Sequence, residues 1–357
     1  MGRTNIGQNM KIAVYAIAKS EEKHVKRFCE SAKDADLIVI ADTGSDDNTV
    51  QLGEQSGAIM HQINITPFRF DVARNAALAL VPADVDVCVS MDLDEVLLPG
   101  WREELERCWL EDITRLNIGF EFGVNQVFYP SRVHNRHGFY WKYPCHEYIT
   151  PDSRTPDVCG QTSFVMMTHK PDPTKSRGQY LDLLEMAVKE DPNCHRSCYY
   201  YGRELTYRER WQDAINELER YLKLPTATWA LERSHTMRLI GSSLEKLGQD
   251  GMKWFRLAVA EDPTIRENWY DLATACYRKL LWSESYGAAK TALSIVDNRA
   301  QHTSSPTAWG FMLHDHIAIA AYHLKFKDDA IKHGKIALQM APNEQRLVTN
   351  LKYYEEL

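Results

Sequence analysis

The spacing of apolar residues changes once along this chain, near residue 176, and that switch limits the architectures open to it. Before it, MKIAVYAIA, LIVIAD, AIMHQINI and DVCVSMD read as strands. Between them, helices are predicted over Glu21–Lys33, over Asn48–Gly57 and across DVARNAALALV. Alternating strands and helices over about 90 residues predict a parallel α/β sheet with right-handed crossovers. After the switch, helix follows helix in a recurring unit, seen in KEDPNCHRSCYYYGRELTYRERWQDAINELERYLKL and again in AEDPTIRENWYDLATACYRKLLWSESYGAAKTALSI. A third copy reads HDHIAIAAYHLKFKDDAIKHGKIALQMAPN. The Asp-Pro steps at Asp191 and Asp262 lie 262 − 191 = 71 residues apart, about two periods of a ~34-residue helical hairpin. Two domains are therefore predicted, an α/β domain over 1–175 and an all-α hairpin-repeat domain over 176–357.

The length of 357 residues, with 44% hydrophobic and 25% charged residues, suits a folded globular protein and excludes a disordered or collagen-like chain. No run approaches ~18 apolar residues, so no membrane insertion is expected, and no signal peptide is visible. Eight irregularly spaced cysteines do not make a disulfide framework, and a cytoplasmic location is predicted. Cys194, His195 and Cys198 cluster, but without a second cysteine pair they read as buried thiols rather than a zinc site. The net charge of −7 argues against broad polyanion binding while leaving room for a local basic groove.

Several polar clusters fall where the strands end, which is where open α/β sheets bind ligands. Asp42-Thr43-Gly44-Ser45-Asp46-Asp47-Asn48 follows the second strand. It reads as a capped turn, or as a carboxylate offered to a nucleobase or ribose. Met91-Asp92-Leu93-Asp94-Glu95 ends the fourth strand. Alternation would put Asp92 and Asp94 on one side, unbalanced by nearby Lys or Arg, so a Mg²⁺ or Mn²⁺ between them is expected. Arg69 and Arg74 open the helix between these clusters and could contact a diphosphate or base, or simply pair with Asp71. The segment from Arg132 to Glu147, rich in His, Arg and aromatics, suits a pocket that stacks on sugars and handles protons. His169 follows the apolar run SFVMMT.

Taken in order, AIAKSEE, ADTGSDDNT, RFDVARNAAL, MDLDE and YWKYPCHEYI resemble a family-2 glycosyltransferase of the Rossmann-like GT-A fold. The helical half resembles tetratricopeptide (TPR) repeats, and the pairing is similar to a bacterial and bacteriophage subgroup. The resemblance spans the chain. It implies a nucleotide-sugar donor, expected to be a UDP-sugar, with Ala16, Lys19, Asp42, Arg74 and Asp92 as donor contacts. It implies Asp94 and His169 as ligands of Mn²⁺ or Mg²⁺, Glu147 as the catalytic base or acceptor-positioning carboxylate, and His146 as its neighbour. Inversion at the anomeric carbon is the family expectation. Ser20 departs from the pattern, which usually has Asn after the Lys.

The acceptor implied by phage relatives is a 5-hydroxymethylpyrimidine in DNA. A peptide or protein side chain and a lipopolysaccharide glycan are the alternatives. Arg196, Tyr199, Tyr200, Tyr201, Arg203, Tyr207, Arg208 and Arg210 could bind such a partner, or could pack a Tyr face and solvate an Arg face. A non-catalytic TPR interaction scaffold is the rival of a different class. A nucleotidyltransferase is disfavoured because YAIAKSEEKHV carries no glycine for a phosphate loop.

Overall fold

The computed structural model describes residues 10–121, 127–172 and 178–357. It divides into two compact units, Met1–Ala187 and Val188–Leu357. The division expected at residues 175 and 176, which lie outside the described residues, thus falls later.

The first unit begins as the apolar pattern dictates. Strands β1 (Ile12–Ala18), β2 (Leu37–Asp42), β3 (Ile59–Gln62) and β4 (Val87–Ser90) are parallel, in the order β3-β2-β1-β4. They alternate with helices α1 (Val25–Ser31), α2 (Thr49–Gln55) and α3 (Phe70–Leu80). Both faces of β1 are covered, so its residues are almost uniformly apolar. Ile12, Val14, Ala16 and Ala18 join a core with Phe28 of α1, and Ala13 and Tyr15 join another with Ala77 and Leu78 of α3.

Beyond residue 95 the pattern departs from strand-helix alternation. One helix, α4 (Trp101–Cys108), follows β5 (Glu95–Leu97), and then come β6 (Arg115–Glu121), β7 (Val127–Phe128), β8 (Ser131–Asn135), β9 (Phe139–Lys142), β10 (Tyr148–Pro151) and β11 (Cys159–His169). The sheet continues β4-β8-β6-β11-β5, with β7 also paired to β6, while β9 and β10 form a separate hairpin. β8 runs antiparallel to both β4 and β6, and β11 runs parallel to β6. Two reversals restore direction, so β11 points the same way as β4. The last residue of β11, His169, therefore reaches the edge where β4 ends.

After α5 (Tyr180–Glu190), the second unit stacks α6 (His195–Tyr207), α7 (Trp211–Lys223), α8 (Ala230–Lys246), α9 (Met252–Glu261), α10 (Arg266–Arg278), α11 (Trp282–Ser294), α12 (Met312–His323), α13 (Lys327–Met340) and α14 (Gln345–Glu356). These form hairpins α6/α7, α8/α9, α10/α11 and α12/α13. Each hairpin turns through one left-handed residue, namely Glu209 (φ 57°), Gly248 (75°), Leu280 (58°) and Lys325 (65°). The next backbone N–H closes the turn on the carbonyl five residues back: Arg210 on Leu205, Gln249 on Leu244, Leu281 on Cys276 and Phe326 on Ala321, at 2.8–3.0 Å. This is the Schellman closure of a helix end.

Seven residues before each turn residue stands a small buried one, Gly202, Gly241, Ala273 or Ala318, where the paired helices cross. Asp191 and Asp262 each accept from the backbone N–H two residues on, at 3.2 and 3.0 Å, and so shape the step into the next hairpin. Recurrent hairpins of this geometry resemble TPR repeats.

Gly251 meets Gly241 so closely that an added methyl would drive into the Gly241 carbonyl. Gly251→Ala is expected to lower stability by about 1–3 kcal/mol, measured by denaturant unfolding.

Three buried histidines set an acid limit. Burial pushes His134, His316 and His333 from 6.5 down to about 4. The folded state thus resists protons that the unfolded chain accepts. Stability is full above pH 6.5 and falls as pH drops from 6.5 toward 4. Melting temperatures recorded across this window should decline on acidification; a flat profile would contradict the burial of these rings.

Candidate functional site at the carboxyl edge of the sheet

Helix α3 supplies the central group. Arg74 sits on its buried face, one turn beyond Asp71, with only 5% of its side chain exposed. Its Nε donates to Glu147 Oε1 at 2.6 Å, and its Nη2 donates to Asp92 Oδ1 at 2.5 Å. The guanidinium lies 5.1 Å from the centre of the Trp141 ring. Trp141 is itself fixed: Asn75 bonds both its N–H and its carbonyl at 2.8 Å, and its indole N–H donates to Tyr15 Oη at 2.7 Å. Tyr15 in turn meets His134 Nε2 at 2.9 Å. Burial opposes charge on Arg74, but Asp92 and Glu147 outweigh it and hold the group protonated.

Asp92 corrects the expectation of two unbalanced carboxylates. β4 ends at Ser90, so Asp92 and Asp94 lie in the turn that follows rather than on one strand face. Asp92 is balanced by Arg74 and, at 3.7 Å, by Arg132. Burial pushes its carboxyl up, yet the two guanidiniums prevail and hold it at about 2. Glu95, the third acid of the cluster, accepts from the Asp92 N–H at 2.8 Å and from Arg132 at 2.9 Å. Its burial pushes it up to about 7.

Asp94 turns instead to His169, with Oδ2 and Nε2 3.1 Å apart. The Lys170 N–H bonds the Asp94 carbonyl at 2.8 Å and locks the two segments together. Among the described residues no three metal-ligating side chains gather at one point. Asp94 and His169 therefore offer one carboxylate and one imidazole. These are donor types that a divalent cation accepts when water fills its remaining positions.

Glu147, 11% exposed, stands opposite Asp92 across Arg74. His146 precedes it with a left-handed backbone, φ 51°, and its ring lies 6.0 Å from Tyr180.

Two donor contacts are not available from side chains. Ala16 is 1% exposed and packs in the core with Val14 and Ile40, because its β1 register faces α1. Asp42, also 1% exposed, is consumed by its own turn. Its Oδ2 accepts from Gly44 N at 3.1 Å and Ser45 N at 3.0 Å, and its Oδ1 accepts from the Ser45 hydroxyl. The N-cap position of α2, Asn48, makes no side-chain cap bond, and Asp47 instead accepts from Thr49 N at 2.9 Å in the turn that leads into the helix. Lys19 is exposed just past β1. Arg69 pairs with Asp71 at 2.9 Å, the simpler of its two readings.

Arg132, Glu95, Asn75 and Trp141 are the site residues whose roles the sequence did not assign. Glu95 was signalled by adjacency to Asp92 and Asp94; the others required the sheet order. In the helical unit, Cys194 caps α6 by accepting from Ser197 N at 3.4 Å, and Cys198 is fully buried.

No protein-family profile and no curated protein matches the chain. Among solved structures it is similar to MamA, at 19% identity over 47% of this chain and 90% of that one, with a TM-score of 0.38. It is similar also to YrrB, a TPR protein with an unusual peptide-binding site, at 14% identity over 49% and 83%, TM-score 0.39. A third is pilF of Pseudomonas aeruginosa, at 12% identity over 49% and 72%, TM-score 0.38. By its own geometry the chain carries an α/β unit with an ionic edge site and an array of helical hairpins, and no helix among its described residues is long and apolar enough to cross a membrane.

Arg74→Ala would strand Asp92 and Glu147 around an emptied guanidinium site. A loss of about 3 kcal/mol in unfolding free energy is expected by denaturant titration. A loss well under 1 kcal/mol would mean that water already solvates these groups.

Proposed function

We propose that the α/β unit is a metal-dependent GT-A glycosyltransferase. It would move a sugar from a nucleotide-sugar donor, expected to be a UDP-sugar, to an acceptor hydroxyl or other nucleophile with inversion. The observation that carries this reading is the meeting of Asp94 with His169 at 3.1 Å, beside Arg74 and Arg132 on the carboxyl edge of the sheet.

Asp94 and His169 would hold Mn²⁺ or Mg²⁺, which as a Lewis acid offsets charge on the leaving diphosphate. Arg74 has one buried nitrogen, Nη1, without a partner, and this supports an anionic ligand beside it. In the displacement, the acceptor atom bonds to the anomeric carbon as that carbon's bond to the diphosphate oxygen breaks. Glu147 takes the acceptor's proton, and the nucleoside diphosphate leaves with the bonding pair. Arg74 orients Glu147 through Oε1, and the left-handed backbone at His146 sets the turn that presents it. Lys19 remains a donor contact in this reading. A 5-hydroxymethylpyrimidine of bacteriophage DNA is the acceptor tried first, ahead of peptides and lipopolysaccharide glycans, with a cytoplasmic setting.

A second reading, a non-catalytic interaction scaffold, is favoured by one observation. Arg74 already pairs through Nε and Nη2 with Glu147 and Asp92 without a ligand.

A thermal-shift and hydrolysis screen of UDP-, GDP-, TDP- and CMP-sugars, with and without Mn²⁺, separates the two. One nucleotide sugar should stabilise and be turned over only with metal, and Asp94→Ala should abolish that response without changing the fold. Binding of no nucleotide sugar under any condition would leave the scaffold reading standing.

A further inference from the structure

His24 stands between the end of β1 and the first turn of α1, 8% exposed, at the edge of the sheet that also carries Asp94 and His169. Its place there is fixed by one guanidinium. Arg27 Nη2 donates to His24 Nδ1 at 3.1 Å and to the Lys170 carbonyl at 3.3 Å. Lys170 follows His169, and its N–H holds the Asp94 carbonyl at 2.8 Å. Arg27 therefore ties the His24 imidazole to the segment that bears the Asp94–His169 pair.

The same bond decides the tautomer. A guanidinium only donates, so Nδ1 accepts and the ring proton sits on Nε2. Burial, with Arg27 alongside, holds the ring below its ordinary pKa and outweighs Asp94 and Asp172, which favours this neutral form. Nε2–H is then a donor, yet it is buried with no hydrogen-bond partner among the described residues. The other buried histidine of this unit, His134, behaves as a ring with a purely structural role does. Its Nε2 meets Tyr15 Oη at 2.9 Å and its Nδ1 meets the Asn135 carbonyl at 2.7 Å. A buried donor left unpaired is costly, and a ligand oxygen would remove that cost at His24.

The chemistry of that oxygen is constrained. A nitrogen that carries a proton cannot ligate a metal, so His24 is not a third ligand beside Asp94 and His169. The charges around it are Lys23, Arg27, Asp94 and Asp172. Lys23 pairs with Asp172 at 3.3 Å, while Arg27 makes no ion pair among the described residues. With a divalent cation on Asp94 the balance at this end is positive, which suits an anionic oxygen.

We propose that His24 binds substrate, its Nε2–H donating to an oxygen of the diphosphate in the nucleotide-sugar donor. The inference rests on the transferase reading and adds a contact to it. Helices α1 and α3 cover opposite faces of β1, so His24 and Arg74 reach this edge from the two sides of the sheet.

Calorimetry on the full chain tests it, with Mn²⁺ alone, Mn²⁺ with inorganic pyrophosphate and Mn²⁺ with UDP as probes. His24→Phe keeps a ring and removes the donor. It should weaken pyrophosphate and UDP about tenfold and change the affinity for Mn²⁺ alone less than about twofold. His24→Gln, which keeps an N–H, should recover part of the loss. Independently of any variant, the Nε2–H signal of His24 in NMR spectra of the wild-type protein should shift when pyrophosphate is added to the Mg²⁺-loaded form. Equal diphosphate affinity in His24→Phe and wild type, or an Nε2–H signal that pyrophosphate leaves in place, would overturn the proposal while the transferase reading stands. A loss of Mn²⁺ affinity as large as the loss for pyrophosphate would make His24 a metal ligand and overturn it too. A wild-type protein that binds neither pyrophosphate nor UDP would overturn both.

Discussion

One buried guanidinium joins the parts of the α/β unit that form its edge site. Arg74 comes from a helix, Asp92 from the turn after a strand, and Glu147 from a hairpin 73 residues farther along. Desolvating Arg74 and Glu147 is costly, so the arrangement persists because each carboxylate meets a nitrogen and the guanidinium face rests on Trp141, while Asp92 keeps part of its side chain in water. The indole is held in turn by Asn75 and Tyr15, which extends the constraint from the charged edge to the middle of the sheet. Two of the three guanidinium nitrogens of Arg74 are thus matched to carboxylates, while Nη1 is left without a partner.

The helical unit divides its interactions differently. Where paired helices cross, it uses Gly202, Gly241, Ala273 and Ala318, so that backbones approach closely and dispersion dominates. Between successive first helices of the hairpins it uses hydroxyls, imidazoles and ion pairs. Small residues thus hold each hairpin closed, while polar pairs register one hairpin against the next. Arg346 continues the pattern by pairing with Asp315 through both nitrogens, at 3.0 and 2.8 Å.

The strands β1 to β4 and the hairpin repeats were legible because their apolar spacing is regular and local. The region from β6 to β11 was not. β8 reads Ser-Arg-Val-His-Asn, and β11 carries register shifts near Val165 that break the alternation. The acid cluster at Asp92 was visible, but the cations that balance it sit 18 and 40 residues away and needed the sheet order to find them. Asp42 was ambiguous for a local reason, since the Gly44 and Ser45 backbone N–H groups are donors two and three residues away. The Arg and Tyr run split between its two readings. Tyr199 packs inward and Arg208 pairs locally, while Arg203 lies over the rings of Tyr199 and Tyr200.

The position of β11 governs when the edge site can exist during synthesis. The first four strands neighbour one another and can pair as soon as Ser90 has emerged. Asp94 then waits for its imidazole until the chain has been made through His169 and β11 has inserted between β6 and β5. A nascent chain halted before residue 147 carries Arg74 and Asp92 but lacks both Glu147 and His169. The Asp94–His169 contact is therefore the last of the edge contacts to form, and a ribosome pausing among β6 to β10 displays an open sheet edge.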